Sequence, residues 1–530
     1  MRDDDRLLID VTGGDLHVHA DEAWDALMRA NDPTFPRVMV RGNDLVRKTE
    51  RGELEPFSVD SLRDELSKVA VFIKVNAKGE TVPVKPPAEV AKVILARDSA
   101  DYEDGPRVDR IVDIPVLGID GKLIDTPGHH EASRLLYEPD PALKLPAVAG
   151  EIGSHEDVWR AVDVLMDDLL GDFGFEDEAS KANALALLLL PFVREYIGDR
   201  PTPMHLIVAP EVGTGKTLLA LSLLMPGCGL VDLTPEATDE DEIRKRITAQ
   251  LLAGKPAIVL DNIAGSISSS VLAGAITTGK WSDRVLKESR EVRLPIRNAW
   301  VATGNNVELT DEHNRRAVPI ILDPGDVRPS DRPKQAFRHD DLVEWAQANR
   351  GRLVDAALTL VRNWIDGGEV VADGETIPVA SERTLGTFER WAEVVGGILA
   401  AAGIKGFLGN RDRMSTINVE REETSAFLSA WHGLGLVPQT LEEVIALCAF
   451  DQPLHPFVPE ALRIEHPARF KQKIMYWLRD HKGAKYGGFK LVKTTGRPAR
   501  WEVVSLHHHG NHGADDETSA TVGKTGDVAR

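Results

Sequence analysis

The sequence predicts an α/β fold organised around a phosphate-binding loop, with an N-terminal α+β region, a helical subdomain and a C-terminal winged helix attached. Three observations carry this. Residues 205–219, His-Leu-Ile-Val-Ala-Pro-Glu-Val-Gly-Thr-Gly-Lys-Thr-Leu-Leu, read as strand, glycine-bearing loop and helix. Two further apolar runs end in Asp261 and Asn305, at intervals of about 45 residues from Lys216. From Glu422 the pattern becomes helix, helix, helix, hairpin.

Composition sets the bounds. A chain of 530 residues has room for several domains. Two distant cysteines, Cys228 and Cys448, exclude a disulfide framework and a cysteine-based zinc site, and they fit a reducing cytoplasm. The acidic N-terminus is unlike a signal peptide, and the longest apolar run, residues 184–193, is too short to span a bilayer. A soluble protein without a membrane partner is expected. The net charge of -21 argues against a chain coated in nucleic acid but leaves room for a local basic channel.

Residues 1–150 mix short strands (38–40, 69–75, 114–117) with helices, and Ile119-Asp120-Gly121-Lys122 reads as a hairpin turn. His17 and His19 alternate on an expected strand, followed later by His129, His130 and Glu131; as strand and loop polars they are assigned no chemistry. The paired strand-end carboxylates that primer synthesis needs are not evident. Residues 151–199 form an expected helical collar, with Ser154 and Asp157 as a capping pair and a strongly apolar helix over 179–197.

Residues 200–330 hold the candidate site. Pro210, Glu211, Val212, Gly213, Thr214, Gly215, Lys216, Thr217 and Leu218 make the nucleotide loop, in which Gly213 and Gly215 allow backbone N–H groups to approach phosphate closely. Lys216 would reach the β and γ phosphates of ATP, Thr217 would hold Mg²⁺, and the helix N-terminus adds partial positive charge. Pro210 stands where the usual pattern opens with glycine. The run Ala-Ile-Val-Leu before Asp261 reads as a buried central strand delivering a second Mg²⁺ ligand at its C-terminal end. The next position, which often carries an acid that activates water, is Asn262; the base would then be Glu211 or Asp283, or turnover would be slow. The third strand ends in Gly304-Asn305-Asn306, where Asn305 first and Asn306 second are candidates to position water or the γ-phosphate. Arg315 and Arg316 precede another apolar run and are candidates to complete a neighbouring subunit's site.

Between the second and third strands, residues 280–297 carry six basic and three acidic residues. Lys280, Arg284 and Lys287 are candidate DNA contacts, and Trp281 a candidate for stacking on a base. Residues 331–420 read as a helical subdomain. Residues 421–506 read as a winged helix whose segment 467–502 carries ten basic residues against two acidic ones; Arg469, Lys471, Lys473, Lys490, Lys493 and Arg497 are its candidate duplex contacts. Residues 507–530 are polar and aperiodic, an expected disordered tail.

Lys216, Asp261 and Asn305, with Leu260-Asp-Asn262, Ala302-Thr-Gly-Asn-Asn306 and the basic hairpin between them, resemble superfamily 3 helicases of the AAA+ class. More closely, residues 200–325 are similar to the helicase part of phage and mobile-element replication proteins, the primase-helicase group that includes poxvirus relatives. The flanks 109–137 and 385–410 resemble that group too. The resemblance implies a hexameric ring moving along DNA in a bacterial host cytoplasm, with the hairpin lining the central channel and Lys280, Arg284 or Lys287 touching phosphates. The function expected is an ATP-dependent DNA helicase, acting on single-stranded and duplex DNA beside a primase or polymerase. The alternatives are an ATP-switched initiator or loader that does not unwind, and the helicase part of a primase-helicase.

Overall fold

The computed structural model describes the chain apart from residues 1–5, 51, 103, 144–154, 211–212, 238, 285–290, 324, 326–331, 368, 371–375, 464–466, 484, 487, 495, 497 and 507–530. The chain divides into two compact units, residues 1–414 and 415–530, and the division falls inside a helix, Arg413–Gly433.

The larger unit is built on a five-stranded, all-parallel sheet. Its strands are β1 (Met204–Ala209), β2 (Leu233–Pro235), β3 (Ala257–Ile267), β4 (Ala299–Leu309) and β5 (Ala317–Ile321), in the order β2-β3-β4-β1-β5. β1 and β5 are buried along their whole length, as expected of parallel strands covered on both faces. β4 lies between the strand that enters the phosphate loop and the strand that carries Asp261. Three consecutive strand tips therefore open onto one crevice, the usual ligand position in an open α/β sheet.

The helices that cover the sheet follow from the apolar runs. α1 (Glu178–Ile197) starts where the Asp177 carboxylate accepts the Ser180 N–H at 2.7 Å, and nearly every residue after it is buried. α2 (Lys216–Cys228) leaves the phosphate loop. α3 (Glu240–Leu252) is capped by Asp239, and α4 (Ser270–Thr277) by Ser269. The helical region beyond β5 contributes Arg350–Asp366 and Glu389–Ala401, which pack on α1. Buried Asn183 of α1 ties these parts together: its amide donates to Pro319 O at 2.8 Å and Asn410 Oδ1 at 3.0 Å, while its carbonyl accepts from Leu408 N at 3.0 Å. A buried amide so satisfied fixes one packing arrangement.

The N-terminal region is α+β. A sheet of Leu7–Asp10, Ala70–Val75 and Thr81–Val84 carries the helices Leu16–Ala30, Val59–Val69 and Ala88–Leu95 around Ile9, Trp24, Leu27, Leu66 and Phe72. The turn at residues 119–122 does join a hairpin, Val116–Leu117 with Leu123–Ile124. The expected strand bearing His17 and His19 is instead the helix Leu16–Ala30. Ala20, Ala23, Trp24 and Leu27 set a helical repeat that outweighs the short alternation before it, and two residues apart on a helix do not share a face. His19 Nε2 lies 3.0 Å from Gly13 O. Among the described residues no three His, Cys, Asp or Glu side chains gather as a metal site.

Buried arginines join the region around residues 107–138 to the helices that cover the sheet. Arg350 grips Asp113 with both Nη atoms, at 2.5 and 2.8 Å, and donates Nε to Met225 O at 3.0 Å. Arg110 pairs with buried Glu195 at 3.3 Å. Such charges persist in an interior only when paired and hydrogen-bonded.

The second unit holds the helices Leu441–Leu447 and Pro467–Asp480 after Arg413–Gly433. It also holds an antiparallel sheet in the order Gln439–Thr440, Arg500–Ser505, Phe489–Lys493, Lys485–Tyr486. Phe427, Trp431, Ile474, Trp477 and Leu491 fill its core. Among the described residues no helix is long and apolar enough to cross a membrane.

Candidate active site

The loop after β1 bends back through two positive-φ glycines, Gly213 at 82° and Gly215 at 87°, and Gly215 N-caps α2. A side chain at Gly215 would be strained by the dihedral and would approach the Phe173 ring at 3.3 Å. Lys216 therefore begins α2 with its chain turned inward, and only 7% of it is exposed. Its Nζ donates to Thr214 Oγ1 at 3.0 Å and to Asn305 Oδ1 at 2.5 Å, which brings the loop against β4. Asp261 and Asn305 lie within β3 and β4 and not at the strand ends the sequence suggests, since the strands continue to Ile267 and Leu309. Burial pushes the Lys216 amine down to about 8, against the pull of nearby Asp261. A buried ammonium at the head of a phosphate loop is a strong site for an anion.

Asp261 is positioned by a bulge. Along β3 and β4, Leu260 pairs with Ala302 and Ile263 with Gly304, so Asp261 and Asn262 together oppose the single residue Thr303. Thr303 donates its hydroxyl to Asp261 Oδ1 at 2.7 Å and accepts the Asn262 N–H at 3.0 Å. Asn262 takes the left-handed conformation the bulge requires, with φ 58°, a region asparagine tolerates better than most residues. The same Asp261 oxygen accepts from Thr217 Oγ1 at 2.8 Å. A threonine hydroxyl and a carboxylate side by side at the phosphate loop are oxygen donors suited to Mg²⁺.

Gly304 makes this pairing close. A Cβ there would meet the Val307 side chain and come within 2.6 Å of Ile263 O. Gly304→Ala is accordingly expected to push β3 and β4 apart and to destabilise the larger unit by about 1–3 kcal/mol, read as a lowered thermal midpoint. An unchanged midpoint would show that the strands shift without penalty.

The structure thus brings together Lys216, Thr217, Asp261 and Asn305, with Gly213, Thr214 and Gly215 shaping the loop and Pro210 and Leu218 exposed at its two ends. Glu211 and Val212 lie outside the described residues, and the Asn306 side chain is not described. Thr303 escaped the sequence reading. Its signal was a hydroxyl placed immediately before glycine on an otherwise apolar strand.

Other expectations are corrected. Trp281 is 7% exposed and donates its indole N–H to Thr248 Oγ1 at 2.9 Å, so it packs and is not available to stack on a base. Asp283, considered as a base, accepts from Thr248 of α3 at 2.6 Å at the foot of the hairpin. Arg297 is buried against Asp199 at 2.6 Å and adds nothing to a basic surface. Arg316 folds onto its own short helix, donating to Glu312 O at 2.5 Å and pairing with that carboxylate at 3.2 Å, whereas Arg315 is exposed.

The hairpin itself pairs Lys280–Arg284 with Glu291–Pro295. Lys280 is exposed, the Arg284 side chain is not described, and Lys287 lies outside the described residues. In the second unit Arg469, Lys471 and Lys473 are exposed on one helix. Lys471 reaches Glu442 at 3.1 Å and Lys473 reaches Ala461 O at 3.0 Å. Tyr476, unmarked in the sequence, is exposed on the same helix with Arg479 above its ring at 5.1 Å. Lys490 is half-buried, Lys493 lies over Trp501 at 5.3 Å, and Arg497 is outside the described residues.

No family model matches the chain, and no curated protein matches it. Among solved structures, a JCV helicase bound to a thiazolopyridinyl-phenoxyphenyl acetamide is similar over 40% of this chain and 62% of its own, with 15% identity and a TM-score of 0.22. This chain therefore spans less than two thirds of that helicase's length. An SCCmec type IV Cch described as an active helicase is similar over 89% of this chain and 93% of its own, with 11% identity and a TM-score of 0.30.

Proposed function

We propose that this protein is an ATP-dependent DNA helicase, a ring-forming motor of the AAA+ class serving replication of a phage or mobile element. The observation that carries the reading is the junction of the phosphate loop with β3 and β4, where Lys216 meets Asn305, and Thr217 and Thr303 both meet Asp261, within hydrogen-bond distance. In this reading the loop N–H groups and Lys216 hold the β and γ phosphates of ATP. Thr217 and Asp261 would hold Mg²⁺, which neutralises charge on the phosphate oxygens. Thr303 keeps the carboxylate aimed, and Asn305 exchanges its bond to Lys216 for one to water or to the γ-phosphate.

Arg315 is the better candidate to act on a neighbour's nucleotide, because it is exposed whereas Arg316 is half-buried. Arg315→Ala should lower turnover by about 10³-fold or more while leaving ATP binding intact, and Arg316→Ala should act mainly on stability. Steady-state hydrolysis of the two variants checks this. Mixing Arg315→Ala with Lys216→Ala subunits should restore some turnover, since each junction in which the former supplies Lys216 and the latter Arg315 then has both groups. Equal losses from the two arginines, with no recovery on mixing, would sink the assignment.

The hairpin with exposed Lys280 and the basic helix bearing Arg469, Lys471 and Lys473 support DNA as the substrate. The second unit, with its helices and hairpin, fits a winged helix for duplex. Hydrolysis by the full chain, with and without single-stranded DNA, alongside strand displacement on a forked duplex, tests the whole. Turnover that DNA stimulates, together with displacement, is the expected result. ATP binding with neither would leave an ATP-switched initiator or loader, a reading that Asn262 favours because no acid follows Asp261.

A further inference from the structure

α3 touches both ends of the proposed motor. At its N-terminus the Glu240 carboxylate accepts from Ser269 Oγ at 3.0 Å and from the Ser270 and Val271 N–H groups, each at 3.1 Å, so it holds the first turn of α4. The Ser269 carbonyl is also 3.1 Å from Nε2 of buried His313, whose Nδ1 lies 2.8 Å from Thr310 Oγ1 just beyond the end of β4. His313 sits two residues before Arg315. A continuous set of hydrogen bonds therefore runs from Thr310, just beyond β4, through His313 and Ser269 to Glu240 of α3.

Near its other end α3 meets the hairpin through one side chain. Thr248 Oγ1 accepts the Trp281 indole N–H at 2.9 Å, and it lies 2.6 Å from Asp283 Oδ2 and 2.9 Å from Arg244 O. A hydroxyl has a single proton, so it donates either to the hairpin carboxylate or to the carbonyl of its own helix. Loss of the Asp283 bond then leaves no hydroxyl proton unsatisfied, because Arg244 O receives it. The exchange trades one hydrogen bond for another, a small change in free energy, whereas an unmade buried bond would cost far more. Trp281 meanwhile stays packed, which anchors the foot of the hairpin while its charged strands move.

We infer that Thr248 is a positioning residue that couples the basic hairpin to the nucleotide site, by switching its proton between Asp283 and the Arg244 carbonyl. The inference rests on the helicase reading. It requires α3 to be the element through which nucleotide state and hairpin position are linked, and that is a statement about a coupling free energy between two sites.

The test is the ratio of ATP turnover with a poly-dT single strand to turnover without it, in the full chain. Thr248→Val keeps the shape but removes the hydroxyl; the ratio should fall about 5-fold or more while DNA-free turnover stays within about 2-fold of wild type. Thr248→Ser should restore the ratio. Should Thr248→Val fail to fold, Asp283→Asn, which weakens the competing acceptor and leaves the Trp281 anchor, should lower the ratio by itself. A wild-type ratio in both Thr248→Val and Asp283→Asn overturns the inference and leaves the helicase reading standing. Equal loss of DNA-free and DNA-stimulated turnover, with a lowered thermal midpoint and no serine rescue, overturns it as well, since that is what a merely structural threonine would do. A wild-type protein that single strands do not stimulate overturns both.

Discussion

Lys216→Ala is expected to lower ATP turnover at least about 100-fold, the scale on which removal of one preorganised donor from a phosphate or oxyanion site acts. The stabilisation that nucleotide confers should be lost with it. In the wild type the Lys216 ammonium is nearly buried, with its amine pushed down to about 8, and its hydrogen bonds include those to the Thr214 hydroxyl and the Asn305 amide oxygen. Its place at the head of the phosphate loop makes it a partner for the phosphates of a nucleotide. Removing it should abolish the upward shift in thermal midpoint that ATP and Mg²⁺ confer on the wild type by binding the folded state. Thermal melts with and without nucleotide, beside steady-state hydrolysis, read both effects. A variant that melts lower without nucleotide yet is still stabilised by ATP would mean that Lys216 is a packing residue and that phosphate binds elsewhere.

The contrast between what could and could not be read beforehand follows from range. The meeting of Lys216, Thr217, Asp261 and Asn305 was legible because each is a polar residue following a local apolar run, although the strands do not end at Asp261 and Asn305 but continue to Ile267 and Leu309. The strand order was not legible, for nothing within β4 states that it inserts between β3 and β1. Thr303 was missed for the same reason: its role arises from a bulge that exists only once Leu260 pairs with Ala302 and Ile263 with Gly304. Trp281 was misjudged because an aromatic beside lysines serves stacking and packing equally well in sequence, and its partner Thr248 lies 33 residues earlier. Asn262 gained a meaning in three dimensions. The residue that departs from the common acid occupies a positive-φ position, where glutamate would add strain to the bulge that aims Asp261.

Mild acid should weaken the larger unit through His205. This residue lies fully buried on β1, its ring edge-on to Trp391 at 5.6 Å, in the strand that feeds the phosphate loop. Burial pushes the imidazole down from 6.5 to about 3. The folded state therefore keeps His205 neutral at a pH where the unfolded chain already binds a proton. Stability is complete above about pH 6.5 and is lost as the pH falls toward 3, at about 1.4 kcal/mol per pH unit. Between pH 6.5 and 5 the loss is about 2 kcal/mol, a large share of the 5–15 kcal/mol typical of a whole domain. Urea unfolding at several pH values, for wild type and His205→Asn, isolates the effect. The asparagine variant starts less stable if the cavity it leaves is not filled, but its stability should fall less steeply over that interval, because no imidazole remains to be charged. Parallel curves would assign the acid sensitivity to carboxylates elsewhere. The expected curves have a functional corollary: β1 and β4 pair from Met204–Trp300 to Ala209–Asn305, so acid that loosens β1 separates Lys216 from Asn305, and ATP-induced stabilisation should disappear along with the sheet.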